Sequence, residues 1–168
     1  MTDSLAELFA QYHPSLVRML YRRTGDRDRA EEIAQEVFAR AAVAPPRNPR
    51  PWLFAVALNL VREQGRTATR RGRILELYRA ERPNQAPPAD VEFERNEKIE
   101  RVRRALDTLT DRDREALLLK AEGFSYDDIA ETLGLAKGAI GTTLGRARRR
   151  LAEAYRACEE EREADAAS

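Results

Sequence analysis

The segment Leu109–Leu151, LTDRDREALLLKAEGFSYDDIAETLGLAKGAIGTTLGRARRRL, constrains this chain most. Its apolar residues predict a helix that stops at Gly123. A short second helix follows, with Ile129, Ala130 and Leu133 on one side. Gly134 supplies the positive φ of a tight turn, and Ala130 is the small residue needed where two short helices cross. A third helix follows, with Ile140, Leu144, Ala147 and Leu151 facing the core at steps of three or four. By elimination Ala139, Thr142, Thr143, Arg146, Arg149 and Arg150 face outward. This is the layout of a helix-turn-helix whose last helix fits a DNA major groove. Arg146 suits guanine edges and the threonines suit thymine methyls or phosphates. Lys137, Arg149 and Arg150 suit phosphates, which position without specifying sequence. The alternative is a solvated basic face on an ordinary helical hairpin.

Composition limits the rest. The chain has 168 residues, 35% of them charged and 42% apolar, with a formal net charge of only +1. Nucleic-acid affinity must therefore come from local patches. Cys158 stands alone, which leaves no internal disulfide or Cys/His metal cluster and fits a reducing compartment. No apolar run approaches a membrane span, and the N-terminus MTDSLAELFAQYHP does not read as a secretory signal. The expected location is cytoplasmic, without membrane insertion.

Strand signals are few, and Ala, Leu, Glu and Arg favour helices. The expected fold is all-α: two small helical domains joined by a flexible linker, the C-terminal one containing the helix-turn-helix. A first helix begins after Thr2 or Asp3, and a second follows Pro14 and stops near Gly25. A third spans about 28–42, with Ala30, Ile33, Ala34, Val37 and Phe38 on its apolar stripe. A fourth starts near Pro51, after the proline-rich segment 44–51. Residues 81–90, ERPNQAPPAD, read as linker. The domains are placed at 1–75 and 93–157, with a linker at 76–92 and an acidic tail at 158–168 that frays or is disordered.

Two further clusters carry chemistry. The segment 62–73 sets Arg62, Arg66, Arg70, Arg71 and Arg73 against one acid, Glu63, after a helix with Trp52, Phe54 and Asn59. Arginines beside aromatics suit melted nucleic acid, where bases stack and phosphates pair; equally, Trp52 and Phe54 fit a core. The helix 26–40 bears Asp28, Glu31, Glu32, Gln35 and Glu36 on its outer faces. Paired carboxylates can serve acid–base catalysis. No nucleophile or Gly-rich loop accompanies them, and the one histidine, His13, precedes a proline. The cluster reads as a solvated face or a docking surface for a basic partner, and no enzyme is expected.

Together these segments resemble bacterial RNA polymerase sigma factors of the extracytoplasmic-function (ECF) type, in the sigma-70 family. LFAQYHPSLVRMLYRRTGD (8–26) looks like the start of sigma region 2. AEEIAQEVFARA (30–41) is similar to its most characteristic stretch, and WLFAVALN (52–59) to its promoter-melting helix. Residues 109–151 resemble region 4. The resemblance implies an alternative sigma factor that binds core RNA polymerase and directs initiation at promoters with −10 and −35 elements. Glu32, Gln35, Glu36 and Arg40 would dock on the β′ clamp helices, and the β flap would be a second polymerase contact. Trp52, Asn59, Arg62, Glu63, Arg66, Arg70 and Arg71 would meet the −10 element. Lys137, Thr142, Thr143, Arg146, Arg149 and Arg150 would meet the −35 element. Promoter DNA and an anti-sigma factor are the other implied partners, with no cofactor and no metal.

The sequence departs from the family in the recognition helix. Ala136 and Ala139 replace the usual cap and outward threonine, Gly141 and Thr143 the usual basic residues, and Gly145 a histidine or aromatic. Gly138, Gly141 and Gly145 share nearly one face, so the helix either approaches DNA backbone closely or reads the −35 element weakly. Base readout is expected to rest on Arg146 and Thr142. Rival readings are a sigma-like decoy that sequesters an anti-sigma factor, slightly favoured by these glycines but disfavoured by the arginines at 62–73 and 146–150, and a helix-turn-helix regulator, disfavoured by the 30–41 helix.

Overall fold

The computed structural model describes the backbone of residues 3–79 and 90–168, and the side chains of 3–65 and 97–168. Among the described residues the chain forms α-helices, one 3₁₀ turn and no strand. The helices are α1 (Leu5–Thr24), α2 (Arg27–Val43), α3 (Pro49–Arg79), α4 (Asp90–Asp107), α5 (Asp111–Ala121), α6 (Tyr126–Leu133) and α7 (Ile140–Ala166). No helix among them is long and apolar enough to cross a membrane.

Local chemistry sets most of the boundaries. Ser4 caps α1 in a capping box: Glu7 N–H donates to Ser4 Oγ at 3.3 Å, and Ser4 N–H donates to the Glu7 carboxylate at 2.7 Å. Gly25, at φ 72°, closes the same helix by donating its N–H to the Tyr21 carbonyl. Asp26, Thr110 and Ser125 cap α2, α5 and α6 through their side chains.

Three helices differ from the sequence expectation. Pro14 does not divide the first segment; it lies inside α1. Pro14 and Ala10 are both exposed, so the carbonyl that proline leaves without a helical donor lies toward water. Burial of Leu8 on one side, and of Leu16, Met19 and Leu20 on the other, keeps one axis. Likewise α3 runs through Gly65 to Arg79, because a glycine costs only about 1 kcal/mol in a helix and good helix formers follow it. The linker placed at 76–92 is therefore helical at both ends; its centre, 80–89, lies outside the described residues. Finally, the acidic tail continues α7 to Ala166, and Arg162 pairs with Glu97 of α4 at 3.3 Å.

The first three helices pack around Leu16, Met19, Ile33, Val37, Leu53, Phe54 and Leu58, all at most 1% exposed. The last four surround Leu119, Ile129, Ile140 and Leu144, each 0% exposed. The two lobes are not separate. Phe54 of α3 meets Phe124 edge-on, with ring centroids 4.8 Å apart, and both are fully buried. Arg50 lies over the Phe124 ring at 4.1 Å and donates to the Glu122 carbonyl at 2.8 Å. One continuous core results.

Candidate nucleic-acid interface

The helix-turn-helix consists of α6, a turn and α7. Gly134 adopts φ 66°, and Leu135 N–H donates to the Ala130 carbonyl at 2.9 Å. A 3₁₀ turn, Lys137–Ala139, leads into α7, and neither Ala136 nor Ala139 supplies a side-chain cap. Ile140, Leu144 and Ala147 face inward as expected, with Leu151 half-buried. Thr142, Arg146, Arg149 and Arg150 are exposed, and so is Lys137, which lies 3.3 Å from Asp127. Thr143 corrects the sequence reading. It is 5% exposed, and its hydroxyl donates to the Ala139 carbonyl at 2.8 Å. Its position beside Leu144 and Ala147 turns it into the lobe, and the back-bond satisfies the hydroxyl there.

A carboxylate missed in the sequence controls the basic face. Asp113 of α5 has a side chain with no exposure, yet Arg146 Nη2 lies 2.8 Å from Oδ1 and Nε 3.3 Å from Oδ2. Arg150 Nη1 reaches Oδ2 at 3.2 Å. The Arg146 hydrogen bond, helped by the charges of Arg146 and Arg150, holds the Asp113 carboxyl below its usual range against the opposing effect of burial. Asp113 lies four residues after Leu109 and three before Ala116, on their buried stripe. That spacing was the available signal.

On α3, Trp52 is half-buried against the core, Asn59 and Glu63 are exposed, and Arg62 is partly covered. Arg62 donates to Asn59 Oδ1 at 3.2 Å and to both oxygens of Glu115 on α5. Hydrogen bonding to Glu115 raises the Arg62 pKa further, opposed by burial. The side chains of Arg66, Arg70, Arg71 and Arg73 lie outside the described residues. On α2, Glu32, Gln35, Glu36 and Arg40 are all exposed, on the side opposite buried Ile33, Val37 and Phe38. Arg40 pairs with Glu36 one turn back at 2.9 Å.

Further ion pairs clamp the lobes. Arg18 and Arg22 of α1 both reach the Glu122 carboxylate, at 2.6 and 3.2 Å, and that side chain is 1% exposed. Asn48 donates to Glu131 at 3.0 Å. No local pattern in the sequence marks these pairs.

Comparison with known proteins matches this division. The family profile "Sigma-70 region 2" matches residues 8–71, and "Sigma-70, region 4" matches 99–151. The ECF RNA polymerase sigma factor EcfG of Rhodopseudomonas palustris is 34% identical over 157 residues, covering 90% of this chain and 84% of that protein. The RNA polymerase sigma factor YlaC of Bacillus subtilis is 30% identical over 162 residues, covering 89% and 90%. Among solved structures, CnrH in complex with the cytosolic domain of CnrY aligns with a TM-score of 0.66 at 25% identity, covering 91% of this chain and 88% of that one. The sigma factor RpoE bound to the anti-sigma factor NepR of Bartonella quintana aligns with a TM-score of 0.60 at 27% identity, covering 88% and 94%. Two sigma modules in order, with relatives matching across nearly the whole chain, establish that this protein belongs to the ECF group of the sigma-70 family and is an alternative sigma factor directing promoter-specific transcription initiation.

Proposed function

We propose the following division of labour within that role. Residues 1–75 dock on polymerase and open the −10 element, 93–157 read the −35 element, and 76–92 connect them. The exposed row Glu32, Gln35, Glu36 and Arg40 on α2 meets the β′ clamp helices. It is acidic enough for a basic partner. Along α3, Asn59, Arg62 and Glu63, with Trp52 below them and Arg66, Arg70 and Arg71 beyond, contact the melted −10 strand. Holding splayed bases better than duplex supplies the free energy for opening. Lys137, Thr142, Arg146, Arg149 and Arg150 approach the −35 duplex, and the same lobe contacts the β flap. Thr143 is left out because it is buried. The protein acts in the cytoplasm and has no catalytic activity of its own.

The observation that carries this reading is the two-sidedness of α7. Ile140, Leu144 and Ala147 are fully buried, while Thr142, Arg146, Arg149 and Arg150 on other faces are exposed. The solved relative bound to an anti-sigma factor supports an anti-sigma partner here as well. Run-off transcription with purified core polymerase and a promoter library tests the assignment. Initiation at a defined subset is expected, lost when Glu32, Gln35 and Glu36 are replaced together by alanine. Polymerase binding without initiation at any promoter would favour the decoy reading, for which the withdrawn Arg62 speaks.

A further inference from the structure

We propose that Asp113 is a positioning residue for −35 recognition: it grips one edge of the Arg146 guanidinium and leaves the other edge facing a guanine. The inference rests on the reading above that α7 enters the major groove.

A guanidinium carries five N–H groups in a fixed plane. Asp113 takes the Nε edge, through Nε at 3.3 Å and one Nη2 hydrogen at 2.8 Å. The opposite edge keeps both Nη1 hydrogens and the second Nη2 hydrogen. That is the two-pronged donor edge needed for guanine O6 and N7. The Arg146 side chain is 44% exposed, while Asp113 has no exposure, so the carboxylate is an anchor rather than a competitor for solvent. The anchor is itself fixed. Asp113 N–H donates to the Thr110 cap at 3.2 Å, and its position in the first turn of α5 places its charge favourably at a helix N-terminus. Arg150 closes the remaining side of the carboxylate at 3.2 Å.

The arrangement has two consequences. Ordering an arginine before DNA arrives removes rotamer entropy that binding would otherwise lose. Placing one negative charge among the arginines lowers attraction to phosphate. Asp113 therefore raises discrimination while lowering indiscriminate affinity, whereas a residue that merely stabilised the fold would move both together.

The test uses the full chain assembled with core polymerase, and −35 duplexes carrying each base in turn. Wild type is expected to prefer guanine at one position by roughly 5- to 150-fold, the range for a good two-pronged contact. Asp113→Asn should cut that preference several-fold while binding to random duplex holds or rises, with a steeper salt dependence. Arg146→Lys keeps an ion pair to Asp113 and tests the edge without removing the anchor; it should lose the preference as Arg146→Ala does. If Asp113→Asn keeps the wild-type preference while Arg146→Ala loses it, the positioning role is overturned and the −35 reading stands. If Arg146→Lys keeps it, the two-pronged edge is overturned. If Arg146→Ala keeps it, the −35 assignment of Arg146 itself fails.

Discussion

Arg62 of α3 donates to both carboxylate oxygens of Glu115 on α5, 53 residues away in sequence, so a residue assigned to the −10 element is held by the lobe assigned to the −35 element. The −10 and −35 elements lie about 25 base pairs apart, or about 85 Å at 3.4 Å per pair. Two lobes that share a core at Phe54 and Phe124 cannot occupy both. On the proposed assignment of the lobes to these elements, they part before the factor engages a promoter.

Glu115→Gln should loosen this closed form. The Glu115 side chain is 1% exposed and Arg62 is 36% exposed, so the pair is shielded enough to matter. A loss of about 1.4 kcal/mol would raise the open fraction about tenfold. Energy transfer between dyes on Cys158 in α7 and on Val43→Cys at the exposed end of α2 would report it. An unchanged distance distribution in Glu115→Gln would show that this pair does not hold the lobes.

Phe124→Ala removes a ring that is fully buried against Phe54 and Arg50. Truncations of this kind cost about 3–5 kcal/mol. Urea unfolding of the full chain should show a loss in that range. A loss below about 1 kcal/mol would mean that the ring meets water in solution and that the lobes are already apart.

Asp113 is expected to make stability fall in acid. Its carboxyl is held below the ordinary value of 3.8, chiefly by the Arg146 hydrogen bond. A depressed carboxyl stabilises the fold fully above its unfolded pKa and loses that contribution as pH falls through its folded one. Asp113→Asn should therefore be least stable relative to wild type at neutral pH, and the gap should narrow below about pH 4. Urea midpoints for the two proteins across that range check the sign. A gap that stayed constant would assign the loss to packing.

The turn at Gly134 and the inward stripe of α7 were legible because each depends on neighbours within a few residues; the cap of α1 was not, since Ser4 and neither Thr2 nor Asp3 supplies it. Asp113 and Glu115 were less so. Both lie on buried faces of α5, where periodicity calls for apolar side chains, and their arginine partners are 33 and 53 residues away. The docking of the lobes was not legible, since Arg18 and Glu122 are separated by 104 residues and no local pattern links them. Elimination alone does not place Thr143, which sits at the border of the apolar stripe, where a back-bonded hydroxyl is as easily buried as exposed. Pro14 stays inside α1 because the burial of Leu8 on one side and of Leu16, Met19 and Leu20 on the other outweighs its local cost.

Gly145→Ala tests why the recognition helix is so bare. Gly145 is exposed in the second turn of α7, and a Cβ built there meets nothing within 4 Å. Its φ is not positive, so alanine enters without strain. Removing a glycine from a helix interior is worth about 0.8–1 kcal/mol. Thermal unfolding of Gly145→Ala should show a gain of that order, and a loss would mean that the helix is distorted in solution. The same variant then reports on DNA. Gly145 is exposed in the same turn of α7 as Arg146, so a methyl group there narrows the approach of DNA to this face. If the bare face lets the helix approach the duplex closely, the more stable variant should bind the −35 element more weakly. Equal binding by the two proteins would show that DNA keeps more than a methyl group's distance from this face, and would leave the glycine as a cost to helix stability with no return in recognition.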